Sequence, residues 1–195
     1  MTSTDNGLTW AGPVVIHEQV VKPEWETLRG RPDTKPHNPK SRAQRWEKDW
    51  HQRYGCGPGN AMVQLKSGRL LVPARHREDI GQGRLRSFAH SFYSDDHGAT
   101  WKLGGNIGLH TSECQFIELN DGSVRVISRN ESAEDAPDNL RHFTSLSQDG
   151  GVTWSAPQRL EQLITPRCHG AVERHDAKTL LFSAPASPIR QAEHP

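Results

Sequence analysis

The sequence is short of several features that would settle its class early. It has three cysteines, Cys56, Cys114 and Cys168, in 195 residues. An odd number of thiols without close pairs gives neither a disulfide framework nor a zinc-ribbon spacing, which leaves free thiols as the reading. No apolar run approaches the ~20 residues that span a bilayer. The opening MTSTDNGLTW has no basic stretch and no apolar stretch, so no secretory leader is visible, and nothing in the sequence indicates a compartment. An excess of one charge is missing too. Lys and Arg number 24 against 23 Asp and Glu, so no global field draws the chain to nucleic acid or to a membrane surface. Any anion binding must come from a local cluster.

Hydrophobic residues make up 33% of the chain and the mean hydropathy is −0.79, both low for a compact domain. With 17 Gly and 13 Pro the chain is turn-rich, which favours many short strands over a helical bundle. The length suits one domain with a real core, and residues 1–195 read as a single unit.

Repetition is what the chain does have. The skeleton S-x-D-x-G-x-T-W occurs as STDNGLTW (3–10), SDDHGATW (94–101) and SQDGGVTW (147–154). A second element recurs as AMVQLKSGRLLVPA (61–74) and QFIELNDGSVRVIS (115–128), each a predicted β-hairpin with Ser67-Gly68 or Asp121-Gly122 at its tip. A weaker third copy is GAVERHDAKTLLFSA (170–184), turning near Asp176-Ala177. From Gly68 to Gly122 is 54 residues and from Ser94 to Ser147 is 53. A unit of that length with two hairpins is a four-stranded antiparallel sheet, and serial sheets of this kind build a β-propeller. The predicted fold is therefore all-β, a partial propeller with about two complete and two partial blades. The first two octapeptides lie 91 residues apart, so a charged insertion of about 38 residues falls within 18–56. It precedes the first hairpin, which places it on the mouth face as a lid or a solvated loop.

The octapeptide reads as scaffold, since a catalytic motif rarely occurs three times in one chain. It would join the outer two strands of a blade. Gly7, Gly98 and Gly151 allow φ > 0. Asp5, Asp96 and Asp149, each two residues after Ser3, Ser94 or Ser147, accept bonds from their own turn. Trp10, Trp101 and Trp154 begin the next strand and bury a ring against a neighbouring sheet.

Chemistry is sought at the other end of the hairpins. A two-residue turn at Asp121-Gly122 pairs Glu113 with Asn130 and Cys114 with Arg129, so Glu113 and Arg129 emerge together. The same turn at Ser67-Gly68 brings Gly59 and Asn60 to His76 and Arg75. Cys168 and His169 hold the equivalent place in the next unit. One rim thus collects Glu113, Arg129, Arg75, His76 and His169; the alternative is an ordinary rim of solvated charges. His51, His110 and His169 lie near the cysteines, but one Cys per unit does not match a zinc-ligand pattern, and no metal or cofactor is expected.

The ordered set of motifs resembles the sialidase (exo-α-neuraminidase) family. The octapeptides resemble its Asp-boxes, and GPGNAMVQLKSGRLLVPA (57–74) its GPG segment. SECQFIELNDGSVRVISRN (112–130) resembles its E-C-Q…R segment, and CHGAV (168–172) its C-Q-G-S-V stretch. The resemblance runs from residue 3 to about 185. It implies a six-bladed propeller cleaving terminal sialic acid with retention, by a Tyr nucleophile rather than a carboxylate. Glu113 matches the Glu that takes the phenolic proton. Arg129 matches the middle of three arginines that hold the sugar carboxylate, a task suited to a planar guanidinium. Asp49 takes the place of an acidic residue that contacts the glycerol or acylamino side of the substrate. Arg75 and Arg77 fall where vertebrate members often have tyrosines, and His169 stands where glutamine is usual; Arg75 and His169 are carried over as substrate-binding.

The family's first arginine, acid/base Asp, third arginine and nucleophilic Tyr have no counterpart, so the chain reads as the middle of a longer protein and, alone, as inactive. An open arc would leave two unpacked blade faces, from which self-association is expected. Two other readings stand beside it. One is a non-catalytic Asp-box propeller that binds glycan or protein. The other is a related hydrolase for a different acidic sugar.

Overall fold

The computed structural model describes residues 1–20, 22, 61–80, 85–132 and 140–187. Most of the insertion predicted within 18–56, together with Asp49, Cys56 and the Gly59–Asn60 corner, lies outside the described residues. The described residues form ten strands. The first blade consists of β1 (Val63–Gln64), β2 (Leu70–Asp79), β3 (Leu85–Ser94) and β4 (Lys102–Leu109), hydrogen-bonded in that order. The second repeats the pattern with β5 (Thr111–Glu118), β6 (Val124–Asn130), β7 (Arg141–Ser147) and β8 (Gln158–Ile164). A two-stranded hairpin of β9 (Ala171–Arg174) and β10 (Leu180–Ser183) follows, as the weaker third repeat predicts. All pairings are antiparallel. One helical turn, α1 (His17–Val20), departs from the all-β expectation. It docks on the first blade through Val20, buried with Val72, Ala74 and Phe92, and through the Gln19 side chain, which accepts the Trp101 backbone N–H.

The sheets pack face to face by the two-residue alternation of their strands. Phe116, Val124 and Val126 point toward the first blade and are buried with Leu65, Leu71, Ala89 and Ile107. Their neighbours Ile117 and Ile127 point the other way and pack with Val172, Leu180 and Phe182. Each such side chain contributes roughly 1.5–3 kcal/mol on burial, so the second blade is held from both sides.

The hairpin register differs by one residue from the expectation. Cys114 pairs with Ser128, not Arg129, and Val63 with Leu71. The tip loops have three residues rather than two. In the second blade Leu119 N–H donates to Ser123 O and Gly122 N–H to Leu119 O; in the first Leu65 and Gly68 do the same. Gly122 (φ 85°) and Gly68 (φ 90°) occupy the left-handed position that closes a three-residue loop with a bulge. An irregularity between Thr111 and Cys114 shifts the far end of the ladder again, to Thr111 against Asn130.

The octapeptides at 94–101 and 147–154 join β3 to β4 and β7 to β8, the outer strands, as expected. In the first copy Ser3 Oγ accepts Gly7 N–H and Asp5 accepts both the N–H and the hydroxyl of Thr9. The same bonds recur at Ser94, Gly98, Asp96 and Thr100, and at Ser147, Gly151, Asp149 and Thr153. The carboxyls of Asp5 and Asp96 have their pKa pulled down to about 2, first by the Thr hydroxyl bond. The tryptophans are not equivalent. Trp154 stacks on Phe116, with ring centroids 5.0 Å apart, and its indole N–H reaches Ser91 Oγ in the first blade. Trp101 packs edge-on against Phe92 of its own sheet. Trp10 is 60% exposed, contrary to the expected burial, because no described sheet covers it.

Candidate active site

Pairing Leu70 with Ser94 and Val124 with Ser147 puts the octapeptides at the tip end of each blade. Glu113 and Arg129 lie at the opposite end of β5 and β6, where the sequence places them. Arg129 Nη1 donates to Glu113 Oε2 at 2.9 Å, and the two side chains are 17% and 24% exposed. The three-residue loop brings Cys114 opposite Ser128, one residue from the two-residue expectation, and Glu113 falls within the irregularity between Thr111 and Cys114.

A third charged group joins them. Arg129 Nη2 lies 3.2 Å from Glu131 Oε1, so the guanidinium sits between two carboxylates. Glu131 Oε1 also accepts the Ser112 hydroxyl at 3.3 Å. Arg75 Nη1 donates to Ser112 Oγ at 3.2 Å and stands 3.8 Å from Glu131. Arg75 comes from the first blade, so the network crosses the blade boundary. Glu131 and Ser112 were not singled out in the sequence. The signal for Glu131 was available: it lies two residues beyond Arg129 and hence on the same strand face. Its N–H donates to His110 O, which extends the pairing past β6.

His76 does not join the rim. It is adjacent to Arg75 on β2 and therefore faces the other way, 1% exposed. Its Nδ1 lies 2.9 Å from His90 Nδ1, its Nε2 lies 2.7 Å from Glu78, and its ring stacks on Phe88. Burial lowers the pKa of both imidazoles, against the opposing pull of Glu78 on His76.

His169 stands apart from the arginine network. Both its ring nitrogens are buried and find no hydrogen-bond partner among the described residues, Glu113 and Arg129 included. It lies close enough to His142 to disfavour that residue's charge. His142 is fully buried edge-on against Phe182, and its Nδ1–H faces Ser128 O behind Arg129. Burial pushes His142 down to about 4.

No three His, Cys, Asp or Glu side chains cluster as metal ligands among the described residues. No described helix is long and apolar enough to cross a membrane. Tyr93 does not reach Glu113's end of the blade, since it pairs with Leu71 near the tip and lies under the Arg69 guanidinium at 4.0 Å. The arrangement can bind an anion through guanidinium groups and offers a carboxylate within one hydrogen bond of them.

Residues 1–191 match the family described as a BNR repeat-like domain. Sialidase-2 of Cricetulus griseus is 30% identical over 177 residues, which is 88% of this chain and 39% of that protein. Sialidase-4 of Homo sapiens is 44% identical over 83 residues, 39% of this chain and 17% of that protein. Among solved structures, the Hadza microbial sialidase Hz136 superposes with a TM-score of 0.52 at 21% identity, covering 66% of this chain and 25% of that one. The chain thus spans about two-fifths of the length of the Cricetulus relative. With its four-stranded antiparallel blades and its Asp-box turns, the chain belongs to the sialidase and BNR-repeat family and carries an arc of that family's β-propeller.

Proposed function

We propose that this chain is the part of an exo-α-sialidase that presents Glu113 to a nucleophilic tyrosine and Arg129 to the carboxylate of a terminal sialic acid. The observation that carries the reading is the 2.9 Å contact of Arg129 with Glu113 at the end of the blade away from the turns. A phenol of pKa ~10 needs a base to be nucleophilic near neutral pH, and Glu113 is the carboxylate proposed to accept its proton, with Arg129 fixing its position. In the proposed step Glu113 takes the phenolic proton as the tyrosine oxygen bonds to the anomeric carbon. The glycosidic bond breaks with protonation of the leaving oxygen by an acid/base Asp; water, giving a proton to that Asp, then displaces the tyrosine oxygen, which regains its proton from Glu113, and the sugar leaves with retained configuration. Arg129 holds the substrate carboxylate throughout. Arg75 and His169 remain proposed substrate contacts, and Asp49 belongs to the same proposal from outside the described residues. Self-association through open blade faces is a further part of it, to be measured by sedimentation.

The test is turnover of a fluorogenic sialoside by a full-length protein containing this segment. Release of the fluorophore with retention supports the reading. Binding of sialic acid without turnover would favour a glycan-binding propeller. Turnover of a different acidic sugar in its place would favour the related hydrolase.

A further inference from the structure

Glu131 is the one carboxylate of the site that the functional reading leaves without a task. Its side chain is 16% exposed, and one oxygen gathers three groups from two blades: Arg129 Nη2 at 3.2 Å, Ser112 Oγ at 3.3 Å and Arg75 Nη1 at 3.8 Å. Ser112 is fixed in turn, its N–H donating to Ser128 Oγ and its hydroxyl accepting from Arg75. Arg129 sits on β6 and Arg75 on β2, and Glu131 Oε1 stands between them, 3.2 Å from one and 3.8 Å from the other. Two guanidinium groups repel one another, and a carboxylate between them removes that repulsion while fixing both planes.

We infer that Glu131 is a positioning residue, which couples Arg75 to Arg129 across the blade boundary and so turns a single anion contact into a two-arginine cradle for an acidic sugar. The inference rests on the proposed sialic-acid reading for its ligand, but not for the bridge itself. Arg129 directs Nη1 to Glu113 and Nη2 to Glu131. Arg75 is 38% exposed on its side chain, leaving it able to meet an incoming carboxylate. An acidic sugar entering here would be held by Arg129 in the plane set by its two carboxylates, with Arg75 as the second donor.

The test has two arms on a full-length protein containing this segment. In the first, the guanidinium N–H signals of Arg75 and Arg129 are followed by NMR without ligand. Hindered Nη rotation is expected for Arg129 in the native protein, lost in Glu131→Gln and restored in part by Glu131→Asp. A merely structural role would move the thermal midpoint without this pattern. Unchanged guanidinium signals in Glu131→Gln would overturn the bridge. In the second arm, N-acetylneuraminic acid is titrated into native protein, Glu131→Gln, Arg75→Ala and the double variant. Each single change is expected to weaken binding about tenfold, and the double change little more than either. Single effects that simply multiply would overturn the coupling. If native protein shows the hindered signals yet binds no N-acetylneuraminic acid, the bridge stands and the sialic-acid reading fails.

Discussion

Arg129 and Glu113 meet across the β5–β6 hairpin with their nitrogen and oxygen 2.9 Å apart, at the end of the blade opposite the repeated turn. In a full-length enzyme containing this segment, Glu113→Gln is expected to lower kcat by at least ~10²-fold while changing KM little, because the lost group moves a proton and does not hold the sugar. Steady-state kinetics on a fluorogenic sialoside measures both. Near-native kcat would remove Glu113 from the chemistry.

Arg129→Lys should behave differently. A lysine keeps the charge but cannot offer two planar donors to a carboxylate. Affinity for N-acetylneuraminic acid is expected to fall by about tenfold or more, from the loss of a charge-assisted hydrogen bond. Calorimetry reads this directly, and native affinity in the lysine variant would argue against a carboxylate clamp.

Stability should fall on acidification through the buried histidines. His142 is held at about 4 by burial, against 6.5 when free, so the folded state binds fewer protons than the unfolded one between those values. The stability His142 contributes is complete above pH 6.5, declines as the pH falls below that, and is gone near pH 4, a span worth about 3 kcal/mol. His76 and His90 act in the same direction. Urea midpoints at pH 7.5 and pH 5 check the sign, and His142→Phe should flatten the slope. A midpoint that rises on acidification would contradict it.

Two glycines with nearly the same backbone separate conformation from packing. Gly122 has φ 85° and a methyl there would meet nothing within 4 Å. Gly151 has φ 91°, and a methyl there would come 2.5 Å from Leu71 Cδ1. Gly122→Ala is expected to cost about 1 kcal/mol, the price of a left-handed Cβ. Gly151→Ala should cost roughly 2–4 kcal/mol, because the blade interface must also open. Equal losses in denaturant melts would mean that the interface yields freely.

Much of the architecture could be read from residues that backbone geometry restricts. Gly68, Gly122 and the three octapeptide glycines all have positive φ, so their spacing measured the blade. The register was not legible, because a terminal Gly suits a two-residue or a three-residue tip equally well, and the difference is decided by whether Leu119 pairs with Ser123. That one-residue ambiguity changes which residues face one another and leaves the end shared by Glu113 and Arg129 as expected. Hairpin pairing puts both Arg75 and His76 at the open end, but neighbours on a strand point to opposite faces, so sharing that end does not bring His76 to the rim. Glu131 was missed for the converse reason: it lies two residues on, where the face repeats. Asp49 belongs to a stretch outside the described residues.

The three octapeptides share one internal bonding pattern but differ in where the indole N–H goes. In Trp10 and Trp101 it returns to its own turn, at Gly7 O and Gly98 O. In Trp154 it leaves for Ser91 Oγ, while Ser91 and Gly105 bind the Gly151 carbonyl from the first blade. Arg69 adds the Asp149 and Gly150 carbonyls to its pair with Asp95. The third copy is therefore a rivet as well as a corner. Exchanging octapeptides between blades would preserve every turn and still unfasten one seam, so sequence similarity among these repeats overstates how far they are interchangeable parts.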